Sequence, residues 1–249
     1  MKAIMNRVVL VIVIMSICLT TVTLSVHACY PPEVEILSPC TTIYSTNSIP
    51  LTFTISKAAC WIGYSLDEQA NVTVLGNMTL TDLEDGVHSI VVYAKNCFGT
   101  RASNTVCFSV DTLPPEITDV HQFPAEDSVY AEDEVMVNAT VTDAVSGVRS
   151  VSLFYAYANN SGIWISVTRN MIKLDGNVWS TTLPEFPYGT NVTYTVSAED
   201  NVGNSITTAE MGYDIQYRVI PEFPASFGLL FFAIATVIMV IFLKRRRLT

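Results

Sequence analysis

In "EVMVNATVT" the residues Val135, Val137, Ala139 and Val141 fall on one phase of a two-residue period, and Asn138 and Thr140 fall on the other. The same alternation runs through "IPLTFTIS", "HSIVVYAK" and "NTVCFSV" upstream and through "VRSVSLFYAY" and "TNVTYTVSA" downstream. Successive side chains of a strand point to opposite faces, so this period in short β-branched and aromatic runs predicts half-buried strands. The turn-forming stretches "LEDG", "NNSG", "KLDGN" and "FPYGT" separate them. Between two long apolar segments near the ends of the sequence, no window sustains a helical period. The predicted fold class is all-β, and strands of this number and spacing suit two-sheet sandwiches.

The pattern occurs twice. "PPEV" at 31–34 returns as "PPEI" at 114–117, and "VYAKNCFGT" at 92–100 returns as "VSAEDNVGN" at 196–204. Two modules joined at "DTLPP" follow from this. Trp61, Tyr64, Tyr93 and Phe108 are the expected core aromatics of the first, and Tyr155, Trp164, Trp179 and Tyr194 those of the second.

The apolar segments set the expected topology. Residues 225–243 are nineteen without a charge. As a helix they would be about 28 Å long, close to the thickness of a bilayer's hydrocarbon core. Lys244, Arg245, Arg246 and Arg247 follow and are expected to stay cytoplasmic. At the other end, Lys2 and Arg7 precede "VVLVIVIMSICL", and Val26 and Ala28 suit a signal-peptidase cut after Ala28. An uncleaved N-terminal anchor is the alternative, and both versions export the middle of the chain. All 23 acidic residues and only seven of the 13 basic ones lie in that middle, giving it a net charge of −16. Nucleic acid, which needs a basic footprint, is not an expected partner.

"CWIGYSLDEQANVTVLGNMTLTDLEDGVHSIVVYAKNCFGT" resembles the Ig-like or fibronectin-III-like modules of archaeal surface proteins. "VNATVTDAVSGVRSVSLFYAY" with "NVWSTTLPEFPYGTNVTYTVSAEDNVGN" resembles a second type from the same proteins. The resemblance covers most of residues 31–217 and implies fold more than function. Pro221, Glu222, Phe223 and Pro224, followed by an apolar stretch and basic residues, resemble the archaeal PEF-type sorting signal. That resemblance implies an archaeosortase-type membrane transpeptidase that cuts near the motif and moves the protein to a lipid. "PEFP" also stands at 184–187, within the second module, so only its position singles out the later copy. Sorting and retention of the helix both remain open, and either tethers the chain to the outer face of the cell membrane.

The expected organisation is therefore a signal peptide at 1–28 and tandem Ig-like β-sandwiches at 29–112 and 113–218. A linker at 219–224, a transmembrane helix at 225–243 and a basic tail at 244–249 complete it. Cys29, Cys40, Cys60, Cys97 and Cys107 would enter an oxidising compartment. In an Ig-like sandwich the loop before Cys60 shares a pole with the hairpin holding Cys97, which predicts a Cys60–Cys97 disulfide. First and last strands often run side by side, with Cys40 and Cys107 at similar depths, which predicts Cys40–Cys107. Cys29 is left over, for an intermolecular bond or a lipid.

Asn71, Asn77, Asn138, Asn159 and Asn191 each open an Asn-x-Ser/Thr sequon and are candidate glycosylation sites. Asn138 and Asn191 fall on outward strand phases, and Asn77 and Asn159 fall in predicted turns. No catalytic motif appears. His88, after "EDG", is expected to hydrogen-bond nearby backbone, and His121 is expected to be exposed. No cofactor is expected. Calcium is the one metal weighed, at Glu126, Asp127, Glu132, Asp133 and Glu134. The leading function is envelope structure, adhesion or partner display without catalysis, with other envelope proteins or glycans as partners. The alternative is an extracellular ligand- or glycan-binding module in which Trp164 or Trp179 stacks on sugars.

Overall fold

The alternating runs become strands because each offers one apolar face, and two such faces close on each other to exclude water. The computed structural model describes residues 30–158, 162–213 and 215–221, together with Ile234, Thr236, Ile238 and Met239. The chain divides into two compact units, Met1–Leu113 with Val202–Asn204, and Pro114–Asn201 with Ser205–Thr249.

The first unit holds β1 (Val34–Ser38), β2 (Ile43–Tyr44), β3 (Ile49–Ile55), β4 (Trp61–Leu66), β5 (Val72–Thr73), β6 (Met78–Leu80), β7 (Gly86–Lys95) and β8 (Arg101–Val110). One sheet has the order β1-β3-β6 and the other β2-β8-β7-β4-β5. With strands lettered from the N-terminus, this is A-B-E facing A′-G-F-C-C′, an immunoglobulin-type arrangement. Ile49, Leu51, Phe53 and Leu80 from one sheet meet Ile90, Val92, Phe108 and Val110 from the other in a single core.

The second unit holds β9 (Glu116–Phe123), β10 (Val135–Thr142), β11 (Val148–Ala158), β12 (Trp164–Asn170), β13 (Ile172–Lys173), β14 (Val178–Leu183), β15 (Asn191–Asp200), β16 (Ser205–Thr207) and β17 (Ile215–Arg218). Its sheets are β13-β14-β10-β9 and β12-β11-β15, with β16 and β17 both pairing β15. In letters this is D-E-B-A facing C′-C-F-G, with the last strand in two pieces. Val135, Val137, Ala139 and Val141 pack against Val151, Leu153, Tyr155, Val192, Tyr194 and Val196. The sequence repeat is the end of strand F and its turn: Gly99 and Gly203 both hold positive φ, 88° and 98°. A residue with a Cβ rarely adopts that conformation.

Three expected core aromatics lie elsewhere. Phe108, Tyr155 and Tyr194 are buried, and Tyr64 and Trp179 pack partly buried against the cores. Trp61 and Tyr93 sit on the outer face of their sheet, because Ile62, Tyr64 and Leu66 on β4 and Ile90, Val92 and Ala94 on β7 occupy the inner one. Trp164 is 56% exposed.

Candidate functional site

The first unit is stapled where strand C begins and strand F ends. Cys60 and Cys97 form a disulfide with Cα atoms 5.3 Å apart. Cys60 N–H donates to Lys95 O at 2.8 Å, and Trp61 pairs with Lys95, so β-pairing sets the two thiols opposite each other. Cys40 and Cys107 are free and exposed, a departure from the expected second bond. The parallel pair β2–β8 aligns Ile43 with Ser109. Carried back two residues, this register sets Thr41, not Cys40, level with Cys107. Cys40 itself lies before β2 in a tight bend, where Thr42 N–H donates to Cys40 O at 2.8 Å, so it stands outside the pairing. The Cys40 thiol instead points back toward Leu37 O at 3.5 Å.

His88 serves the fold of the first unit. It is buried on β7 and stacks on Phe108. Nδ1 lies 2.8 Å from Asp67 Oδ2, and Nε2 lies 2.7 Å from Glu84 O. Asp67 Oδ1 also accepts from Ser89 N–H at 2.8 Å, which pins the turn after β4 to β7. Burial alone would lower the imidazole pKa. The hydrogen bonds to Asp67 and Glu84 and the charges of both outweigh it and raise the pKa above 6.5. A raised folded-state pKa gives stability that is fully present below pH 6.5 and is lost as pH rises through the folded value. The stability advantage of the wild type over His88→Gln should therefore shrink between about pH 5.5 and about pH 8.5. Urea melts at both pH values check this, and an advantage that grows with pH would refute the imidazolium. His121 is exposed, with Nδ1 2.9 Å from Asp119 O.

Glu126, Asp127, Glu132 and Glu134 are exposed. Asp133 Oδ2 accepts from Tyr130 N–H at 2.8 Å, and Asp127 Oδ1 accepts from Ser128 Oγ at 2.9 Å. Among the described residues these five do not bring three carboxylates within ligand reach of one another. Elsewhere in this unit Asp143 and buried Asp200 bring carboxylate oxygens within 4.8 Å. Asp143 Oδ1 accepts from Val145 N–H and Gly147 N–H.

The sequons divide into two kinds. Asn77 is exposed, and its Oδ1 ties it to β3 by accepting from Phe53 N–H at 3.1 Å. Asn138 lies on the middle strand β10, with Nδ2 3.4 Å from His121 Nε2 and Oδ1 buried without a partner. It is therefore less open than its strand phase predicts. Asn71 and Asn191 are exposed, and each lines a cleft that also contains a tryptophan.

The first cleft, of about 550 Å³, lies on the outer face of the five-stranded sheet of the first unit, where Trp61, Asn71, Tyr93, Lys95, Arg101 and Ser103 line it. The Trp61 ring lies across Gly63. A Cβ there would come within 2.6 Å of the indole and 2.8 Å of Val72 O, so only glycine admits the ring. Trp61 Nε1–H donates to Thr73 Oγ1 at 3.0 Å. The second cleft, of about 590 Å³, has Trp164, Asn191, Thr193, Gln216 and Arg218 among its walls. Ala158 pairs with Trp164, Tyr157 with Val192, and Asn191 with Arg218. Trp164, Ala158, Asn191 and Arg218 thus form one row across four strands. Ser166, Ala156, Thr193 and Gln216 form the next, so on β11 two alanines stand between the tryptophan strand and the sequon strand. Sequence reasoning found the sequons and both tryptophans, but not their pairing.

The expected signal peptide at 1–28, Cys29, Asn159, Glu222, Phe223, Pro224, Lys244, Arg245, Arg246 and Arg247 lie outside the described residues. So does the expected span 225–243, apart from Ile234, Thr236, Ile238 and Met239, which are helical. Among the described residues no helix is long and apolar enough to cross a membrane. Pro221 is exposed just beyond β17.

No family model matches the chain. Among solved structures it is similar to the tetra-tandem repeat in the extending region of a large adhesion protein, at 16% identity and a TM-score of 0.34, covering 76% of this chain and 49% of that one. It is also similar to the FN1-FN3 domains of chicken CNTN1, at 18% identity and a TM-score of 0.31, covering 76% and 68%. A third is dimeric latent PorU from Porphyromonas gingivalis, at 12% identity and a TM-score of 0.29, covering 78% and 20%. The chain thus spans about half the length of the adhesion repeat structure.

Proposed function

We propose that this chain is an exported surface protein, tethered at its C-terminal end, whose two β-sandwiches serve envelope structure, adhesion or partner display without catalysis. The observation that carries the reading is a disulfide-stapled sandwich, Cys60 to Cys97, followed by a second sandwich. Disulfides persist in oxidising compartments outside the cytosol. Apolar segments of membrane length flank this β region in the sequence. Its acidic surface, net −16 across the middle of the chain, keeps such a domain solvated. Its partners in this reading are the membrane, other envelope proteins or glycans, and a sorting enzyme acting near Pro221–Pro224.

Protease added to intact cells should remove the β units, and intact mass of the envelope form should report the tether. A chain that retains residues 225–249 is held by its helix. A chain that stops near 220–224 and carries a lipid has been sorted. A β region digested only after lysis, or a soluble product with neither helix nor lipid, would overturn the proposal. A second reading, an extracellular glycan-binding module, has the exposed Trp164 in its favour.

A further inference from the structure

We infer that N-linked glycans on Asn71 and Asn191 fold back onto Trp61 and Trp164, so that the two clefts hold the protein's own carbohydrate. The inference rests on the reading that these exported sequons are glycosylated, and it adds where the sugars lie. Three observations carry it.

The first is recurrence. Each unit places an exposed Asn-Val-Thr sequon in the wall of a tryptophan-lined cleft on the outer face of a five-stranded sheet. The residues that build the two clefts sit on different strands. Asn71 adjoins β5 and Trp61 is on β4 in the first, and Asn191 is on β15 and Trp164 on β12 in the second. The carboxamide of Asn77 is instead bound to β3, and that of Asn138 is partly buried.

The second is reach. Asn191 and Trp164 share a row with one strand between them. Adjacent strands lie about 4.8 Å apart, so the two backbones are about 10 Å apart. On the strand between them the register sets only Ala158 and Ala156, so a sugar on Asn191 Nδ2 has no bulky side chain of β11 to cross on its way to the indole. In the first unit Trp61 is fixed beside its sequon by the bond from Nε1–H to Thr73 Oγ1, the hydroxyl of that same sequon.

The third is chemistry. An exposed indole is a flat apolar surface with a polar edge, suited to the C–H face of a pyranose. The surrounding hydroxyl, amide and guanidinium groups offer hydrogen bonds to sugar hydroxyls: Ser103 and Arg101 in one cleft, Thr193, Gln216 and Arg218 in the other. A tethered sugar acts at an effective concentration on the millimolar scale, so a weak stack suffices.

The test uses the full chain from a host that glycosylates it. Peptide mapping first reads occupancy at each sequon. Hydroxyl-radical footprinting then reads the accessibility of each tryptophan by mass. Asn191→Gln and Thr193→Ala, which abolish one sequon by different routes, should each raise oxidation of Trp164 by about threefold and leave Trp179 unchanged. Asn71→Gln should do the same for Trp61, and Asn77→Gln should change neither. Empty sequons at both Asn71 and Asn191 would overturn the glycosylation reading and the inference together. Occupied sequons with unchanged tryptophan oxidation would overturn the inference alone. Protection of Trp164 by added free oligosaccharide in the glycosylated protein would also overturn it, because the cleft would then be open to foreign ligands.

Discussion

Replacing Cys60 and Cys97 together by serine should destabilise the first unit by about 4 kcal/mol. A disulfide chiefly restricts the unfolded chain, and the two cysteines lie 37 residues apart, which in the chain-entropy model gives that figure. Both residues are exposed, so the serines bury no new polar group. For a unit of this size the loss corresponds to a fall in Tm of roughly 15–30 °C. Thermal unfolding of the oxidised protein and the double variant, with hydrogen exchange in β7 and β8 to locate the change, measures it. A loss under about 1 kcal/mol would mean that the unfolded chain is already restrained without the bond.

Leu153→Ala should cost the second unit about 3–4 kcal/mol. Leu153 is fully buried on β11 within the larger core. Truncation there loses transfer free energy and leaves a cavity among residues already packed at interior density. Its neighbour Phe154 faces the other way and is 45% exposed, so Phe154→Ala should cost about 1 kcal/mol or less. Urea melts of both variants test the contrast. Equal losses would mean that the outer face of β11 is covered in the folded protein.

The strand pattern was legible because it is local. A run such as Val135, Val137, Ala139, Val141 needs only its own alternation to become a half-buried strand, and the observed β10 buries those four residues. The doubled strand-F motif was legible because its glycine answers a backbone requirement inside the turn itself. The Cys60–Cys97 bond followed from the sandwich topology, which sets the start of strand C beside the end of strand F.

Which face a side chain takes in an ambiguous run was decided by tertiary structure. "IWISVTRN" offers Ile163, Ile165 and Val167 on one phase and Trp164 on the other, and hydrophobicity alone favours burying the largest ring. Pairing with β11 resolves it: Val167 sits opposite buried Tyr155, and Trp164 sits opposite Ala158 on the outer face. Trp61 and Tyr93 are outward for the same reason. Cys40 stays apart from Cys107 because it falls in the bend before β2, outside the β2–β8 pairing that holds Cys107's strand. The association of Asn71 with Trp61, and of Asn191 with Trp164, is of this second kind. A sequon and an indole are each visible in the chain, but cross-strand register alone brings them to one cleft, and register is fixed by the burial of both sheets at once.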